Sequence, residues 1–246
     1  MVNGLFSASK GMMLMQEKVD IVSNNLANSN STGFKKAMMV TMSDVQVKRN
    51  DENKLHQDEK QLANEQYFNF EQGPLIPTDD PFDLALAGKG FFSVKMDDGS
   101  VGYTRNGAFT KNANGELVTL TGNQILDKAG NPISVTGTKM NISGDGGVYV
   151  DGEKVSDLGL VQFENTKGLE PIGKSFWTIR DPELSQPKVN TDNQLKQGML
   201  EGSNVSAVDS MVELIRFQRS YEADQKALQS CDETLKTAVN QIGRVA

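Results

Sequence analysis

Residues that could carry chemistry are scattered along this chain of 246 residues instead of gathering in one motif. The loop Gly88-Lys89-Gly90 looks only faintly like a phosphate-binding loop. A Walker A motif needs a further glycine upstream and a serine or threonine after the lysine, and here Phe91-Phe92 follows. A strand turn at which the backbone approaches a neighbouring strand is therefore the better interpretation.

Two acidic groups could act as paired carboxylates or as ligands for Ca²⁺. They are Asp79-Asp80 with Asp83, and Asp97-Asp98. Both lie at predicted turns, where aspartate is common, and neither has EF-hand spacing. A hydrolase that uses the Asp79 to Asp83 group remains an alternative, which alanine substitution in the presence of a substrate would test.

The sequence nominates no other catalytic centre. His56 is the only histidine and lies among charged residues, where a solvated side chain is expected. Cys231 is the only cysteine, so no intrachain disulfide and no Cys/His zinc site can form. We expect no enzyme activity, no cofactor, no metal site and no small-molecule substrate.

Composition narrows the class of partner. The chain is 37% apolar, which suffices for one or two folded domains. Its net charge of −7 disfavours binding to nucleic acid or to anionic membranes. No apolar run approaches the roughly 18 residues of a spanning helix, and the opening MVNGLFSASKG lacks the features of a cleaved secretory signal. We therefore expect no nucleic-acid partner and no membrane insertion.

Both ends of the chain carry apolar residues at the alternating three-and-four spacing of a helical stripe. The first stripe comprises Leu5, Ala8, Met12, Met15, Val19, Val22 and Leu26. The second comprises Ala207, Ser210, Leu214, Phe217, Tyr221, Asp224, Leu228, Cys231, Leu235, Ala238 and Ile242, with Asp224 as the exception. The spacing predicts a C-terminal helix of about 40 residues, roughly 60 Å long, with Ser203 as its cap.

Such stripes often face the core of one domain. The length of the second stripe and its match at the other end favour a coiled-coil-like helical pair instead, with any remaining apolar surface facing other subunits. Between the ends, turn dipeptides recur at Asp98-Gly99, Asn106-Gly107, Asn114-Gly115, Gly122-Asn123, Gly130-Asn131 and Asp151-Gly152. They predict short strands joined by tight hairpins, with type I′ turns at the Asn-Gly and Asp-Gly pairs.

These patterns predict an α+β fold. Paired N- and C-terminal helices form a discontinuous helical domain, residues 1–36 and 199–246, into which a mainly antiparallel β domain, residues 74–185, is inserted. An extended connecting region, residues 37–73 and 186–198, joins them and contributes an edge strand.

Four segments, in this order, resemble those of the flagellar basal-body rod and hook family: SNNLANSNSTGFKK, QGPLIPTDDPFDLALAGKGFFSV, GYTRNGAF and LEGSNVSAVDSMVELIRFQRSYEADQK. Residues 43–70 and 130–185 carry no such resemblance. The opening MVNG and the LEGSNV motif favour the proximal-rod type, with a distal-rod or hook-type axial subunit as the alternative.

The resemblance implies a structural subunit that leaves the cytoplasm through the flagellar type III export apparatus, without a cleaved signal peptide. It implies polymerisation with copies of itself and with other rod subunits into the axial drive shaft of the basal body, which crosses the periplasm. A secreted adhesin or cap-like binding protein is a less favoured alternative, since its specificity would lie in the β loops.

Candidate assembly residues follow from the stripes and from the resemblance. The stripes contribute Leu5, Met12, Val19, Leu214, Phe217, Tyr221, Leu228 and Leu235. The resemblance contributes Asn24, Asn25, Leu26, Asn28, Gly33, Phe34, Ser203, Asn204 and Val205.

Overall fold

The computed structural model describes residues 2–42, 63–173, 175–189 and 194–242. The chain divides into two compact units. The helical unit takes its described residues from Met1–Ala27, Ala37–Phe68 and Ser206–Ala246. The β unit consists of Asn28–Lys36 and Asn69–Val205. The predicted α+β class, with a helix at each end and an antiparallel sheet domain between them in sequence, is confirmed.

The helical unit is built on α1 (Val2–Ala27) and α2 (Ala207–Ile242), which pack against each other. Lys18 lies over the Phe217 ring, with its Nζ 5.6 Å from the centroid. A Cβ atom added at Gly11 would lie 3.5 Å from Asp224 Oδ2. Lys18 lies near Phe217, whereas Gly11, which comes earlier in α1, lies near Asp224, which comes later in α2. The two helices therefore run antiparallel. Among the described residues, no helix combines the length and apolar character needed to cross a membrane.

Helix α2 begins later than predicted. Ser206 caps it, because the Ser206 hydroxyl accepts a hydrogen bond from Asp209 N at 3.3 Å and the Ser206 carbonyl accepts one from Ser210 N at 3.0 Å. The prediction that Ser203 is the cap is wrong. The Ser203 hydroxyl accepts from Val205 N at 3.2 Å and stabilises the turn that precedes the helix.

A two-stranded antiparallel ribbon completes the helical unit. It pairs β1 (Ala37–Met42) with β2 (Ala63–Phe68), and α1 packs against β1. We expected a single edge strand in this part of the connecting region, and the structure contains two paired strands. His56 lies outside the described residues.

Among its described residues, the β unit contains 16 strands, and these strands pair in antiparallel fashion. The strands are β3 (Leu75–Pro77), β4 (Leu84–Ala87), β5 (Phe91–Lys95), β6 (Val101–Thr104), β7 (Phe109–Lys111), β8 (Leu117–Thr119), β9 (Gln124–Ile125), β10 (Met140–Ile142), β11 (Gly147–Val150), β12 (Glu153–Asp157), β13 (Leu160–Phe163), β14 (Leu169–Ile172), β15 (Phe176–Ile179), β16 (Pro187–Val189), β17 (Gln194–Gln197) and β18 (Met199–Glu201).

The main sheet has nine strands. Seven follow the order β14-β15-β6-β5-β9-β8-β7, and β13 joins β16 to β5. Smaller sheets comprise β10-β11-β12, β17-β4 and β18-β3. A continuous apolar core, which includes the fully buried Leu84, Phe92, Val94, Leu117 and Leu158, lies among these strands.

Five hairpin loops have three residues and a left-handed glycine, which differs from the predicted type I′ turns. In each hairpin, the residue just before the loop donates its N–H to the carbonyl of the residue four positions later. Its own carbonyl accepts from the N–H of the glycine three positions later. These residues are Met96, Asn112, Thr119, Asp127 and Ser143, and the glycines are Gly99, Gly115, Gly122, Gly130 and Gly146, with φ between 81° and 97°.

The type I′ prediction is wrong at Asp98-Gly99 and Asn114-Gly115, since Asp79 and Asp151 are the only described residues other than glycine with positive φ. It holds at Asp151-Gly152, where φ is 52° and 95° between the paired Val150 and Glu153.

Asn106-Gly107 is not a hairpin turn. Leu84 N donates to the Gly107 carbonyl at 3.0 Å, and a Cβ atom added at Gly107 would lie 1.7 Å from the Leu84 carbonyl oxygen. Glycine is required here because two backbone segments approach too closely for any side chain.

Strands that follow residue 185 also belong to the β unit. β17 pairs with β4, and β18 pairs with β3. Leu195 is buried in the apolar core. The domain boundary at residue 185 stays a prediction, and these pairings suggest a longer independent unit.

We expect a fragment of residues 28–205 to be more stable than one of residues 28–185. The shorter fragment lacks β17 and β18, which would expose Leu84 and Leu86 and remove Leu195, at a cost of at least about 2 kcal/mol. Urea denaturation followed by Trp177 fluorescence measures the difference. Equal free energies of unfolding would contradict the role given to the last two strands.

Candidate functional site

The four segments that carry the sequence resemblance meet at one buried carboxylate in the β unit. Glu201 Oε1 accepts from Lys35 Nζ at 2.6 Å and from Gly73 N at 2.9 Å. Glu201 Oε2 accepts from Arg105 Nη1 at 3.2 Å. We call Lys35, Arg105 and Glu201 the buried charge cluster.

Solvent is excluded from all three side chains of this cluster, whose exposed fractions are 0% for Lys35 and Glu201 and 2% for Arg105. Taking a charge out of water costs several kcal/mol unless a partner compensates. Two cations share one carboxylate here, so the cluster retains a net charge of +1. The position of each segment is therefore tied to the positions of the others.

Arg105 reaches beyond Glu201. Its Nη2 donates to the Gly88 carbonyl at 2.9 Å, and its guanidinium carbon lies 5.3 Å from the centroid of the Phe91 ring. Its Nε is buried and has no hydrogen-bond partner among the described residues. Desolvation lowers the pKa of Arg105, and the attraction of Glu201 offsets this only in part. That the Gly88-Lys89-Gly90 loop is a turn at which the backbone approaches a neighbouring strand stays a prediction.

Lys35 also bonds the Glu71 carbonyl, with Nζ to oxygen 2.7 Å. Burial lowers the pKa of Lys35 from 10.5, and attraction to Glu201 opposes that shift. Because the unfolded chain then binds the proton more tightly than the folded one, the free energy of unfolding rises with pH between the folded pKa and 10.5.

Gly33 can only be glycine. Its φ is +68°, its N–H donates to the Glu201 carbonyl at 2.8 Å, and an added Cβ would lie 2.4 Å from Asn106 N. Its neighbour Phe34 is buried. Both candidate assembly residues have their observed contacts inside the chain.

Asn204 ties together three backbone segments of the β unit. Its Oδ1 accepts from Lys36 N at 2.7 Å, and its Nδ2 donates to the carbonyls of Asn69 and Glu71 at 2.8 and 3.0 Å. Ser203 and Val205 beside it are buried. The LEGSNV motif therefore has a structural role within one chain.

Asn25 makes a similar bridge within the helical unit. Its Nδ2 donates to the Ala37 carbonyl at 2.8 Å, and its Oδ1 accepts from Ala37 N at 2.9 Å, so the amide imitates a strand partner for β1. Asn28, in the β unit, is buried and its Oδ1 accepts from the Ser31 hydroxyl at 3.2 Å. Asn24 is exposed and Leu26 is half-buried.

Two members of the predicted α2 stripe lie close to α1. Phe217 and Asp224 approach α1 directly. The remaining stripe candidates Met12, Val19, Leu214, Tyr221 and Leu228 are half-buried. The side chains of Leu5 and Leu235 lie outside the described part.

Helix α2 carries a second apolar stripe, which the sequence analysis did not predict. Val208, Met211, Val212 and Ile215 are 71%, 51%, 53% and 51% exposed. Their i, i+3, i+4, i+7 spacing puts them on one face of the helix, and this spacing could have been found in the sequence. We call these four residues the exposed α2 stripe.

Turn geometry accounts for part of the acidic group at residues 79–83. Asp80 Oδ1 accepts from Phe82 N at 2.9 Å, and the backbone of Asp83 forms a bridge with Ala108. Within the described ranges, no cluster of three or more His, Cys, Asp or Glu side chains is arranged to hold a metal ion.

Comparison with known proteins gives matches along the chain. Residues 5–35 match the family model for flagella basal body rod protein, residues 85–150 that for the flagellar hook protein FlgE/F/G D1 domain, and residues 196–242 that for flagellar basal body rod FlgEFG protein C-terminal.

Curated relatives match over nearly their full length. The chain is 33% identical to the flagellar basal-body rod protein FlgF of Caulobacter vibrioides, with 100% of both chains covered. It is 32% identical to FlgG of Borreliella burgdorferi, with 98% of each covered, and 28% identical to FlgF of Rhizobium meliloti, with 99% of each covered.

We expect Glu201→Gln to lower the free energy of unfolding by about 3 kcal/mol or more, because two buried cations would lose their shared carboxylate. Glu164→Gln is the matched control. Glu164 lies 2.6 Å from Lys188, as close as Glu201 lies to Lys35, but both side chains are exposed, so the expected change is within about 0.5 kcal/mol.

Chemical denaturation of the full chain measures both changes. If the two variants lost similar amounts of unfolding free energy, burial would not be what makes the Glu201 contacts stabilising.

Proposed function

The chain belongs to the family of flagellar basal-body rod proteins, which are structural subunits and not an enzyme class, and we propose that it polymerises through its terminal helices into the proximal rod. In this role it transmits torque along the axial drive shaft to the hook and the filament. The observation that carries the proposal is the exposed α2 stripe.

Four neighbouring apolar side chains, each more than half exposed, form an apolar surface. Contact between this surface and water does not stabilise the folded monomer. Burying one such side chain is worth roughly 1.5–3 kcal/mol. The stripe is therefore suited to contact a helix of a neighbouring subunit, whose own apolar residues would complete the interface.

The half-buried stripe that faces α1 has a different part in the proposal. Residues such as Leu214 and Leu228 hold the helical pair together within one subunit, in a coiled-coil-like arrangement. Their uncovered portions, together with Met12 and Val19, would contact neighbours once layers form.

Repeated heterologous contacts build an open helix when the rotation between subunits does not close. A drive shaft requires this geometry, because each subunit then engages several neighbours and the load is distributed over many interfaces. The β unit contributes a closed apolar core, so torsional load need not be borne by the helices alone.

Partners and location form part of the same proposal. The partners are copies of the chain and other rod subunits, and the flagellar type III export apparatus delivers it to the periplasmic part of the basal body. These assignments rest on the family. A distal-rod subunit is the second candidate, since relatives named FlgG match at 30–32% identity, close to the 33% of a FlgF relative.

We expect Ile215→Asp to abolish incorporation into the rod and motility. A charge placed in an apolar interface costs several kcal/mol, whereas in the free subunit the 51% exposed position leaves it hydrated. Gln225→Asp, which adds the same charge to an exposed position of α2 outside the stripe, should assemble normally.

Isolation of basal bodies from cells carrying each variant measures incorporation, and the thermal melting of purified subunits checks folding. Ile215→Asp cells that build complete rods and swim would overturn the proposal. A melting temperature lowered as much as in a core variant such as Phe92→Ala would also count against it, since misfolding would then explain the loss.

A further inference from the structure

The buried charge cluster is assembled from distant parts of the chain, and its carboxylate comes last. Lys35 precedes Glu201 by 166 positions, and Arg105 precedes it by 96. Because a chain is synthesised from its N-terminus, both cations are present long before the carboxylate that compensates them. In the described part of the chain, no other carboxylate forms an ion pair with either cation. The earlier part of the β unit therefore cannot compensate these two charges by itself.

The segment that supplies Glu201 also completes the apolar core. We call residues 194–205 the closing segment. Its strand β17 pairs with β4, its strand β18 pairs with β3, and Leu195 lies in the core. The Glu201 carbonyl accepts from Gly33 N at 2.8 Å. One late segment thus carries the carboxylate, two strands and a backbone bond to the residues that follow α1.

The two cations oppose closure of a β unit that lacks the closing segment. In the closed unit, the exposed fractions of the Lys35 and Arg105 side chains are 0% and 2%. Closure without Glu201 would remove both charges from water with no counter-charge, which is strongly unfavourable. An open site leaves both side chains hydrated. Missing apolar contacts only weaken a fold, whereas these cations favour the open state until the carboxylate is in place.

We propose that the buried charge cluster is a folding checkpoint, in which Lys35 and Arg105 keep the β unit open until the closing segment brings Glu201 to them. This role requires charge, because apolar side chains of similar volume often fill such a site without loss of stability. With apolar side chains at these positions, the earlier part of the unit would close before residues 194–205 take their places. The inference concerns the order of folding and does not depend on the rod assignment.

Pulse labelling by amide hydrogen exchange, during refolding of the full chain from urea, tests this order. The early reporters are Leu117 N and Leu126 N, which donate to backbone carbonyls of the earlier part of the unit. The late reporters are Leu195 N and Gly198 N, which lie in the closing segment and donate to the Gly144 and Asp83 carbonyls. We expect early and late reporters to gain protection together, with time constants that agree within about twofold.

A neutral variant separates the effect of charge from that of topology. It combines Lys35→Met, Arg105→Met and Glu201→Gln, and the new amide oxygen can still accept from Gly73 N, which lies 2.9 Å from Glu201 Oε1 in the unaltered chain. We expect this variant to fold, with the early reporters protected at least about fivefold sooner than the late ones, because no buried cation opposes early closure.

The matched control combines Lys188→Met with Glu164→Gln. It removes an ion pair of the same 2.6 Å length as that between Lys35 and Glu201, but both side chains are exposed. The control should leave the timing of all four reporters unchanged, since exposed ion pairs contribute little to stability.

Protection of the early reporters before the late ones in the unaltered chain would overturn the proposal. So would simultaneous protection in the neutral variant, or an equal change of timing in the control. A neutral variant that fails to fold would also contradict it, because the cluster would then be required for more than the order of folding. The Ile215→Asp experiment does not involve the cluster, so the rod assignment is judged separately.

Discussion

The Glu201 carboxylate sets the architecture of the β unit, because two cations that are shielded from water depend on it. Lys35 is 166 positions away in the chain and Arg105 is 96 positions away. Neither could be buried without Glu201, and Glu201 could not be buried without them. Gly73 N donates to this carboxylate and Gly33 N donates to the Glu201 backbone carbonyl, and both positions require glycine because a side chain would strike the backbone of another segment. The segments that follow α1 and precede α2 in the chain are thus joined within one unit by two ion pairs that share one carboxylate.

The two units differ in how completely they bury their apolar side chains. The β unit closes its core internally, with Phe92 and Leu158 fully shielded from water. The helical unit covers one stripe of α2 by pairing it with α1 and leaves the other exposed. Isolated long helices owe most of their stability to packing. Under the proposed assembly, the exposed α2 stripe would become buried when helices of neighbouring subunits pack against it.

Local patterns were predictable and long-range ones were not. Periodicity alone locates α1 and α2, and the spaced glycines locate the hairpins, because both signals reside in a few consecutive residues. The turn class could not be read from Asp-Gly or Asn-Gly pairs, since loop length decides it. Ser203 and Ser206 are equally good caps in sequence, and tertiary bonds decide between them. Nothing near Lys35 or Arg105 in the sequence indicates burial, so the charge cluster became visible only when the topology brought Glu201 to them.

A map of the assembled rod by electron cryo-microscopy, at side-chain detail, tests the central claim most directly. The account predicts that Val208, Met211, Val212 and Ile215 are covered by a helix of a neighbouring subunit, while Lys35, Arg105 and Glu201 remain paired within one chain. A map in which the four apolar side chains face solvent, or in which Glu201 pairs with cations of another subunit, would contradict it.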